Sequence, residues 1–184
     1  HEPSGTRYEA TTRADGRFSL PGMRVGGPYT VTASLTGFQP QAVKDLIAVI
    51  EREGWKVRVD ASPLGFGTMA AHGRCDALHV SIWDGEHALV IDPGTGGYFG
   101  SSELRAGLAS WDAHNGPQPV GGFRTPRRIG TFLWAEHHAR PLLQTEGNVL
   151  KASLQHEGHC FARTVKVEEN EVLIQDRSEE KRTL

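Results

Sequence analysis

A segment near the middle of the chain alternates between apolar and polar side chains on either side of a turn signal. Leu78, Val80 and Ile82 occupy every second position, which is the pattern of a strand with one buried face. Asp84-Gly85 then forms a two-residue turn signal, and a second short strand follows up to Ile91. The sequence therefore predicts a β-hairpin in which Leu78 pairs with Ile91.

The same pairing brings ionisable side chains together at the open end of the hairpin. Counting back from the turn places Ala77 opposite Asp92, so Asp76 and Asp92 share one edge, with His72 just upstream. Pro93 cannot donate to a strand ladder, so we expect the second strand to end at Asp92. The sequence thus predicts a cluster of ionisable groups at this edge.

The composition excludes some classes of function. The chain has 184 residues, enough for one ordinary domain or two small ones. Its net charge of −2 gives no basic field for nucleic acid or for an anionic membrane surface. No signal peptide or membrane-spanning apolar run is visible, and since the chain begins without methionine we expect a fragment. Cys75 and Cys160 do not make a disulfide framework and are interpreted as two half-buried thiols rather than a bridge.

Turn residues and alternating segments along the rest of the chain predict an all-β fold. Short strands are predicted at residues 8–12, 17–20 and 29–34, with a turn at 14–16, and Trp55 to Asp60 alternates apolar and basic side chains as a strand. Residues 41–53 fit either a strand or a short helix. Further strands are predicted at residues 131–138, 147–154, 160–167 and 171–175, and a frayed tail at 176–184. Helical turns are predicted at 101–109, where Leu104 and Leu108 form an apolar stripe at i and i+4.

Four motifs follow one another in order in the second part of the chain. They are Pro63-Leu64-Gly65-Phe66-Gly67 through His72-Gly73-Arg74-Cys75-Asp76-Ala77-Leu78, Val90-Ile91-Asp92-Pro93-Gly94-Thr95, Ala113-His114-Asn115, and Gly130-Thr131-Phe132-Leu133-Trp134. Together they resemble the C-terminal β-sandwich domain of heparinase II/III-like polysaccharide lyases, over residues 54 to 184. The resemblance implies β-elimination of uronic-acid-containing polysaccharides, in a cleft between the sandwich and a preceding α/α-toroid domain that this chain lacks.

The resemblance also implies roles for individual residues. His72 matches a histidine of the cleft, and it is the candidate catalytic residue because an imidazole can change charge near neutral pH. Asp92 and His114 match positions that hold a structural zinc in some members. The family usually shows His-x-His-x-Asp, and here Arg74 stands at the second histidine. One expected zinc ligand is therefore missing, since a guanidinium stays protonated.

The sequence leaves two answers open for this metal position. Zinc needs a third protein ligand, and His79, Cys75 and Asp76 are candidates among which spacing does not choose. Alternatively, Asp92 pairs with Arg74 in a salt bridge that stands where the metal would be.

Four residues near the predicted cleft are candidates for substrate binding, namely Asp76, Trp111, Asn115 and Arg124. Trp111 is close to His114 along the chain and offers a ring for stacking on a sugar, although most tryptophans in such a sandwich are core. Arg124 belongs to the basic stretch 121–128, which is either a solvated loop or a rim that binds carboxylate or sulfate groups.

The first forty residues carry a different signature. Its motifs are Thr11-Thr12-Arg13-Ala14-Asp15-Gly16-Arg17-Phe18-Ser19-Leu20-Pro21-Gly22, Pro28-Tyr29-Thr30-Val31-Thr32-Ala33 and Gly37-Phe38. They resemble the carboxypeptidase-regulatory-like β-sandwich at the front of many TonB-dependent outer-membrane receptors. The resemblance implies one or two strands before His1, so we expect the module to expose ladder groups and to be poorly stable alone.

The sequence thus predicts a truncated regulatory-like β module at residues 1–45 and an antiparallel β-sandwich at residues 46–184. The favoured function is part of a lyase acting on acidic polysaccharide, inactive alone, at a bacterial periplasmic, secreted or cell-surface location. The alternative is a non-catalytic carbohydrate-binding or structural module of a receptor-type surface protein. A third interpretation is that the junction near residues 41–54 joins two unrelated pieces.

Overall fold

The structure of the chain is a computed structural model. It describes residues 1, 4–13, 20, 22, 30–36, 41–44, 47–65, 69–97 and 101–180, and for residues 41–44 the backbone alone. The strands are β1 (Thr30–Ala33), β2 (Gln41–Lys44), β3 (Ile47–Arg52), β4 (Trp55–Asp60), β5 (Val80–Asp84), β6 (His87–Val90), β7 (Arg127–Arg128), β8 (Trp134–Ala135), β9 (Leu142–Glu146), β10 (Val149–His156), β11 (His159–Val167) and β12 (Val172–Glu180). A helix α1 (Ser102–Leu108) and a 3-10 helix (Trp111–Ala113) lie between β6 and β7. The fold is all-β, as predicted.

Most of the strands belong to two antiparallel four-stranded sheets. The first has the order β3-β4-β5-β6 and the second the order β12-β11-β10-β9. Strand β1 pairs with β2, and β7 pairs with β8, in separate two-stranded sheets. The described residues of the ambiguous stretch 41–53 therefore contain the strands β2 and β3 rather than a helix, and β4 has the predicted bounds.

Both four-stranded sheets contribute to one hydrophobic core. The first sheet supplies Val57, Val59 and Val80, and the second supplies Leu150 and Val165, each with 0 % of its surface exposed. A fully buried side chain of this kind contributes about 1.5–3 kcal/mol relative to an exposed one. Buried positions alternate along β10 and β11, so one face of the second sheet covers the core.

The predicted central hairpin is present, but its turn lies one residue later than predicted. Strands β5 and β6 pair Asp84 with His87, which makes Gly85 and Glu86 the turn residues. A β-bulge beside Ile82 shifts the register again further from the turn. The hairpin is therefore confirmed, and its predicted register is wrong.

Three other strand or tail predictions are wrong. Residues 131–138 contain only the two-residue strand β8, because the Trp134 indole N–H bonds to the Gly73 carbonyl and this segment packs on a loop. The charged tail, expected to be frayed, pairs with β11 as far as Glu180. Residues 8–12 form no strand. The turn predicted at residues 14–16 and the strand at 17–20 fall mostly outside the described residues.

Helix α1 lies where the sequence predicted helical turns. It begins after Ser101, whose hydroxyl oxygen accepts a hydrogen bond of 3.3 Å from the Leu104 N–H. The helix has seven residues. Within the described ranges, no helix combines the length and apolar character needed to cross a membrane.

Candidate functional site

Hydrogen bonds fix the loop between β4 and β5 that carries His72. The His72 N–H donates to the Phe132 carbonyl (2.8 Å), and the Trp134 N–H donates to the Met69 carbonyl (2.9 Å). The Trp134 indole N–H donates to the Gly73 carbonyl at 3.0 Å. The loop therefore lies along the segment that contains Trp134, which sets the backbone position of His72.

The start of this loop requires a glycine. Gly65 has a φ of +56°, and a Cβ at that position would lie 2.3 Å from the Ala70 carbonyl oxygen. His72 also has a positive φ, of 57°, which is uncommon outside glycine but more frequent for histidine than for most residues. Gly67, the next glycine of this loop, lies outside the described residues.

His72 lines a small cavity together with two arginines. Its ring stacks on Phe132 with 4.8 Å between centroids, and the Arg105 guanidinium lies 5.2 Å from the centroid of the same phenyl ring. The other lining residues are Gly73, Thr95, Ala109, Arg128 and Thr131. The cavity volume is about 20 Å³, which is room for about one water molecule. It can receive a carboxylate oxygen but not a sugar ring.

A second cluster of charged side chains surrounds Arg74, the residue that follows Gly73. Ligand-type atoms of Asp76, Asp92 and His114 all lie within 4.8 Å of one another, so the two carboxylates meet as predicted. Arg74 bonds to both of them. Its Nη1 and Nη2 each lie 3.0 Å from a different oxygen of Asp92, and Nη2 lies 2.9 Å from Asp76 Oδ2. The ion pair that the sequence left open as the alternative to zinc is therefore present.

The two carboxylates have different electrostatic environments. Burial raises the pKa of Asp76 to about 6. Burial alone would also raise the pKa of Asp92, but His114, the Gly94 N–H at 2.8 Å and Arg74 outweigh it. The pKa of Asp92 is therefore held well below its usual range. At neutral pH the ion pair of Asp92 with Arg74 is fully charged.

Two histidines lie edge to face inside this cluster. The ring centroids of His79 and His114 are 5.5 Å apart, and the Nε2 atoms of both are buried without a hydrogen-bond partner among the described residues. Burial lowers the pKa of His79 to about 4. Burial alone would lower the pKa of His114 too, yet Asp92, 3.7 Å from its Nε2, and the Ser110 carbonyl at Nδ1 raise it. Of the two histidines, His114 is therefore the one whose protonated form Asp92 favours.

The Asn115 side chain is bonded inside the protein. Its Oδ1 accepts from the Val80 N–H (2.9 Å) and from Arg163 (3.0 Å), while its Nδ2 donates to the Val80 carbonyl (2.8 Å). Arg163 is 6 % exposed and also binds the Leu78 carbonyl and both oxygens of Asp176. Asn115 therefore holds the beginning of β5, and substrate binding by its amide stays a prediction without support from these contacts.

Trp111 and Arg124 lie away from the His72 cavity. The Trp111 ring is 9 % exposed and packs on Phe123 at 4.6 Å and on His138 at 5.8 Å between centroids. This packing gives no support to stacking on a sugar. Arg124 is exposed, and its backbone N–H donates to the Glu157 carboxylate at 3.2 Å. Its predicted role at a rim stays a prediction.

Sequence reasoning missed Arg105 as a site residue. The predicted apolar stripe of α1 would have turned Leu104 inward, but Leu104 is 58 % exposed and Arg105 is 7 % exposed. Arg105 Nη2 donates to the Gly97 carbonyl at 3.0 Å, which holds the guanidinium at the cavity. A pattern of apolar residues along a helix does not indicate that an arginine points inward. Arg128 was noted only as part of a basic stretch, and its guanidinium lies 5.9 Å from the Trp134 ring centroid.

The implied zinc does not fit the residues as they stand. Asp92 and His114 are suitable ligand types, and Asp76 is near enough to be a third. However, both oxygens of Asp92 already accept hydrogen bonds from a permanent cation, Arg74, whose Nη2 also lies 2.9 Å from Asp76 Oδ2. Zinc therefore stays a prediction.

Comparison with known families agrees with both resemblances. A family model described as heparinase II/III-like, C-terminal, matches residues 41–183, and one described as a carboxypeptidase regulatory-like domain matches residues 1–63. The two matches overlap at residues 41–63, where the structure places β3 and β4 in the same sheet as β5 and β6. No significant match is found among curated proteins or among solved structures.

Proposed function

Because the chain belongs to the heparinase II/III-like family through its C-terminal domain, we propose that it is the β-sandwich part of a polysaccharide lyase. The reaction is β-elimination in a uronic-acid-containing polysaccharide. The observation that carries the proposal is the cavity in which His72, Arg105 and Arg128 meet. The two arginines supply positive charge that can bind a carboxylate, and His72 supplies a group that can gain or lose a proton.

The cavity suits the carboxylate of a uronate. Elimination removes the proton on C5, forms a double bond between C4 and C5, and breaks the bond from C4 to the leaving oxygen, which takes a proton. The negative charge that develops on the carboxylate side must be stabilised. Arg105 and Arg128 supply this stabilisation, and both are held in place by bonds to backbone carbonyls.

His72 supplies a hydrogen bond or a proton at the same place. Its ring is fixed by stacking on Phe132, so its edge nitrogens keep a defined direction. One imidazole does not provide both the base and the acid of the reaction. By resemblance, the remaining groups, including a tyrosine, lie on the toroid domain. The sandwich therefore binds and orients the uronate, and this chain alone is inactive.

Affinity electrophoresis against an acidic and a neutral polysaccharide tests the proposal. We expect retardation by the uronate polymer alone, and a loss of at least about tenfold in affinity for Arg128→Gln, since a charged hydrogen bond contributes about 1.5–3 kcal/mol. Arg127→Gln is the matched control, because Arg127 belongs to the same basic stretch, pairs with Glu136 on the surface and lies outside the cavity. Equal losses in the two variants, or ultraviolet-absorbing unsaturated product from the chain alone, would contradict the account.

A second candidate is a non-catalytic module that holds glycan at a cell surface. The match of residues 1–63 to a carboxypeptidase regulatory-like domain favours it. The two candidates differ in what His72 does. A binding module needs His72 for affinity alone, whereas the lyase needs it for product formation once the sandwich is combined with a family toroid domain. Product that forms with wild-type sandwich and not with His72→Ala supports the lyase.

A further inference from the structure

The cluster of Asp76, Asp92 and His114 has the residue types of a metal site, but its two carboxylates already pair with Arg74. Asp76, Asp92 and His114 place one ligand atom each within 4.8 Å of the others, an arrangement suited to a divalent ion. The guanidinium of Arg74 lies on both carboxylates, with three N–O distances of 2.9 to 3.0 Å. We propose that Arg74 is the built-in cation of this site and takes the place of a bound divalent metal.

The geometry of the pair supports this substitution. A carboxylate that binds a metal points an oxygen at the ion, and both oxygens of Asp92 point instead at separate nitrogens of Arg74. The Gly94 N–H also donates a hydrogen bond of 2.8 Å to Asp92 Oδ1. The planar fork of an arginine matches a carboxylate in this two-point manner, which lysine or water does not. Asp92 is therefore satisfied without a metal.

Charge also argues against an additional divalent ion. The side chains of Arg74, Asp76 and Asp92 are 23, 12 and 14 % exposed, and that of His114 is 0 % exposed, so water screens them weakly. A divalent ion among the same oxygens would lie next to a guanidinium that stays protonated. It would have to displace Arg74 from both carboxylates before it could bind.

The guanidinium also makes the connections that a metal would make. Arg74 and Asp76 lie in the loop before β5, Asp92 follows β6, and His114 follows the 3-10 helix. Arg74 joins the first two segments directly, and Asp92 extends the contact to His114 at 3.7 Å. Unlike a metal, this cation cannot be removed by a chelator. The stability of the site is therefore independent of metal supply.

Zinc content after incubation with zinc and desalting tests the proposal on the full chain. We expect none in the wild-type chain and one zinc per chain in Arg74→His, which adds an imidazole beside Asp92 and His114. The double variant Arg74→His, Asp92→Asn should lose it again. Arg127→His is the matched control, because Arg127 pairs with Glu136 on the surface, and it should bind none. Stoichiometric zinc in the wild-type chain, or none in folded Arg74→His, would overturn the proposal.

A second measurement decides the matter if the histidine variant does not fold. Thermal unfolding of the wild-type chain should give the same midpoint with EDTA and with added zinc, and Arg74→Gln should unfold at a lower temperature in both. A wild-type midpoint that falls in EDTA and recovers with zinc would overturn the proposal.

Discussion

Arg74 and Asp92 form a two-point ion pair, with each guanidinium nitrogen 3.0 Å from a different carboxylate oxygen. The pair joins the loop before β5 to the segment after β6, and so closes the open end of the central hairpin. The two side chains are 23 and 14 % exposed, so the pair is partly removed from water. Removing one partner of this pair should therefore cost more stability than removing one partner of a surface pair.

We expect Arg74→Gln to lower the free energy of unfolding by about 2–3 kcal/mol, because Asp76 and Asp92 lose their cation while they stay partly buried. Arg127→Gln is the control, since it breaks the exposed pair with Glu136 and should cost less than about 1 kcal/mol. Urea unfolding of the three proteins measures both values. Equal losses in the two variants would show that the Arg74 pair is no stronger than a surface pair.

Asn115→Ala should destabilise the fold through β5. The substitution leaves the buried N–H and carbonyl of Val80 without their side-chain partner, at a cost of about 2–4 kcal/mol. Asn170→Ala, in the exposed turn between β11 and β12, should change the free energy of unfolding by less than about 0.5 kcal/mol. If Asn115→Ala is as stable as this control yet binds acidic polysaccharide less well, the role of Asn115 is substrate binding after all.

The buried histidine His138 should make stability depend on pH. Burial lowers its pKa from 6.5 to about 4, so between these values the unfolded chain binds a proton that the folded chain does not. Stability should therefore fall as the pH is lowered from 6.5 to 4, by up to about 1.4 kcal/mol per pH unit for this one site. We expect a shallower slope for His138→Phe, measured by urea unfolding across this range.

The control for this prediction is His87→Asn, because His87 is exposed. Protonation of His79 also lowers stability as the pH falls, because its pKa is lowered to about 4 as well. Asp76, with a pKa raised to about 6, changes stability in the opposite direction. Both remain in each variant, so their contributions cancel in the comparison. An unchanged slope in His138→Phe would mean that His138 is protonated equally in the folded and unfolded chains.

The two cysteines should react at very different rates. Cys75 is 1 % exposed, and burial raises the pKa of its thiol to about 12, whereas Cys160 is half-buried. A thiol reagent at neutral pH should therefore label Cys160 in the folded chain and Cys75 only after unfolding. The Cys160→Ser variant isolates Cys75. Rapid labelling of that variant in the folded state would contradict the burial of Cys75.

The meeting of Asp76 and Asp92 was predictable because it depends on the hairpin and not on its exact register. Both residues lie just outside the paired strands, so a turn displaced by one residue and a bulge beside Ile82 still bring them together. The register itself was not predictable, since Asp84-Gly85 and Gly85-Glu86 both satisfy the local preferences of a turn.

The cavity around His72 was harder to predict from the sequence than the meeting of Asp76 and Asp92. His72 was found through its motif, but Arg105 comes from a helix whose pattern pointed to Leu104 as the inward residue. The helix turns its arginine inward because the carbonyl of Gly97 and the ring of Phe132 are there to receive it. Such partners are distant in sequence, so they appear only once the chain is folded.

Calorimetric titration with a uronate oligosaccharide and with its carboxyl-reduced counterpart tests the central claim most directly, for the wild-type chain and for Arg128→Gln. We predict that reduction and substitution each weaken binding by at least about tenfold, and that together they weaken it little further, because both remove the same contact. Equal binding of the two oligosaccharides, or losses that multiply independently, would show that the cavity of His72, Arg105 and Arg128 does not bind the carboxylate.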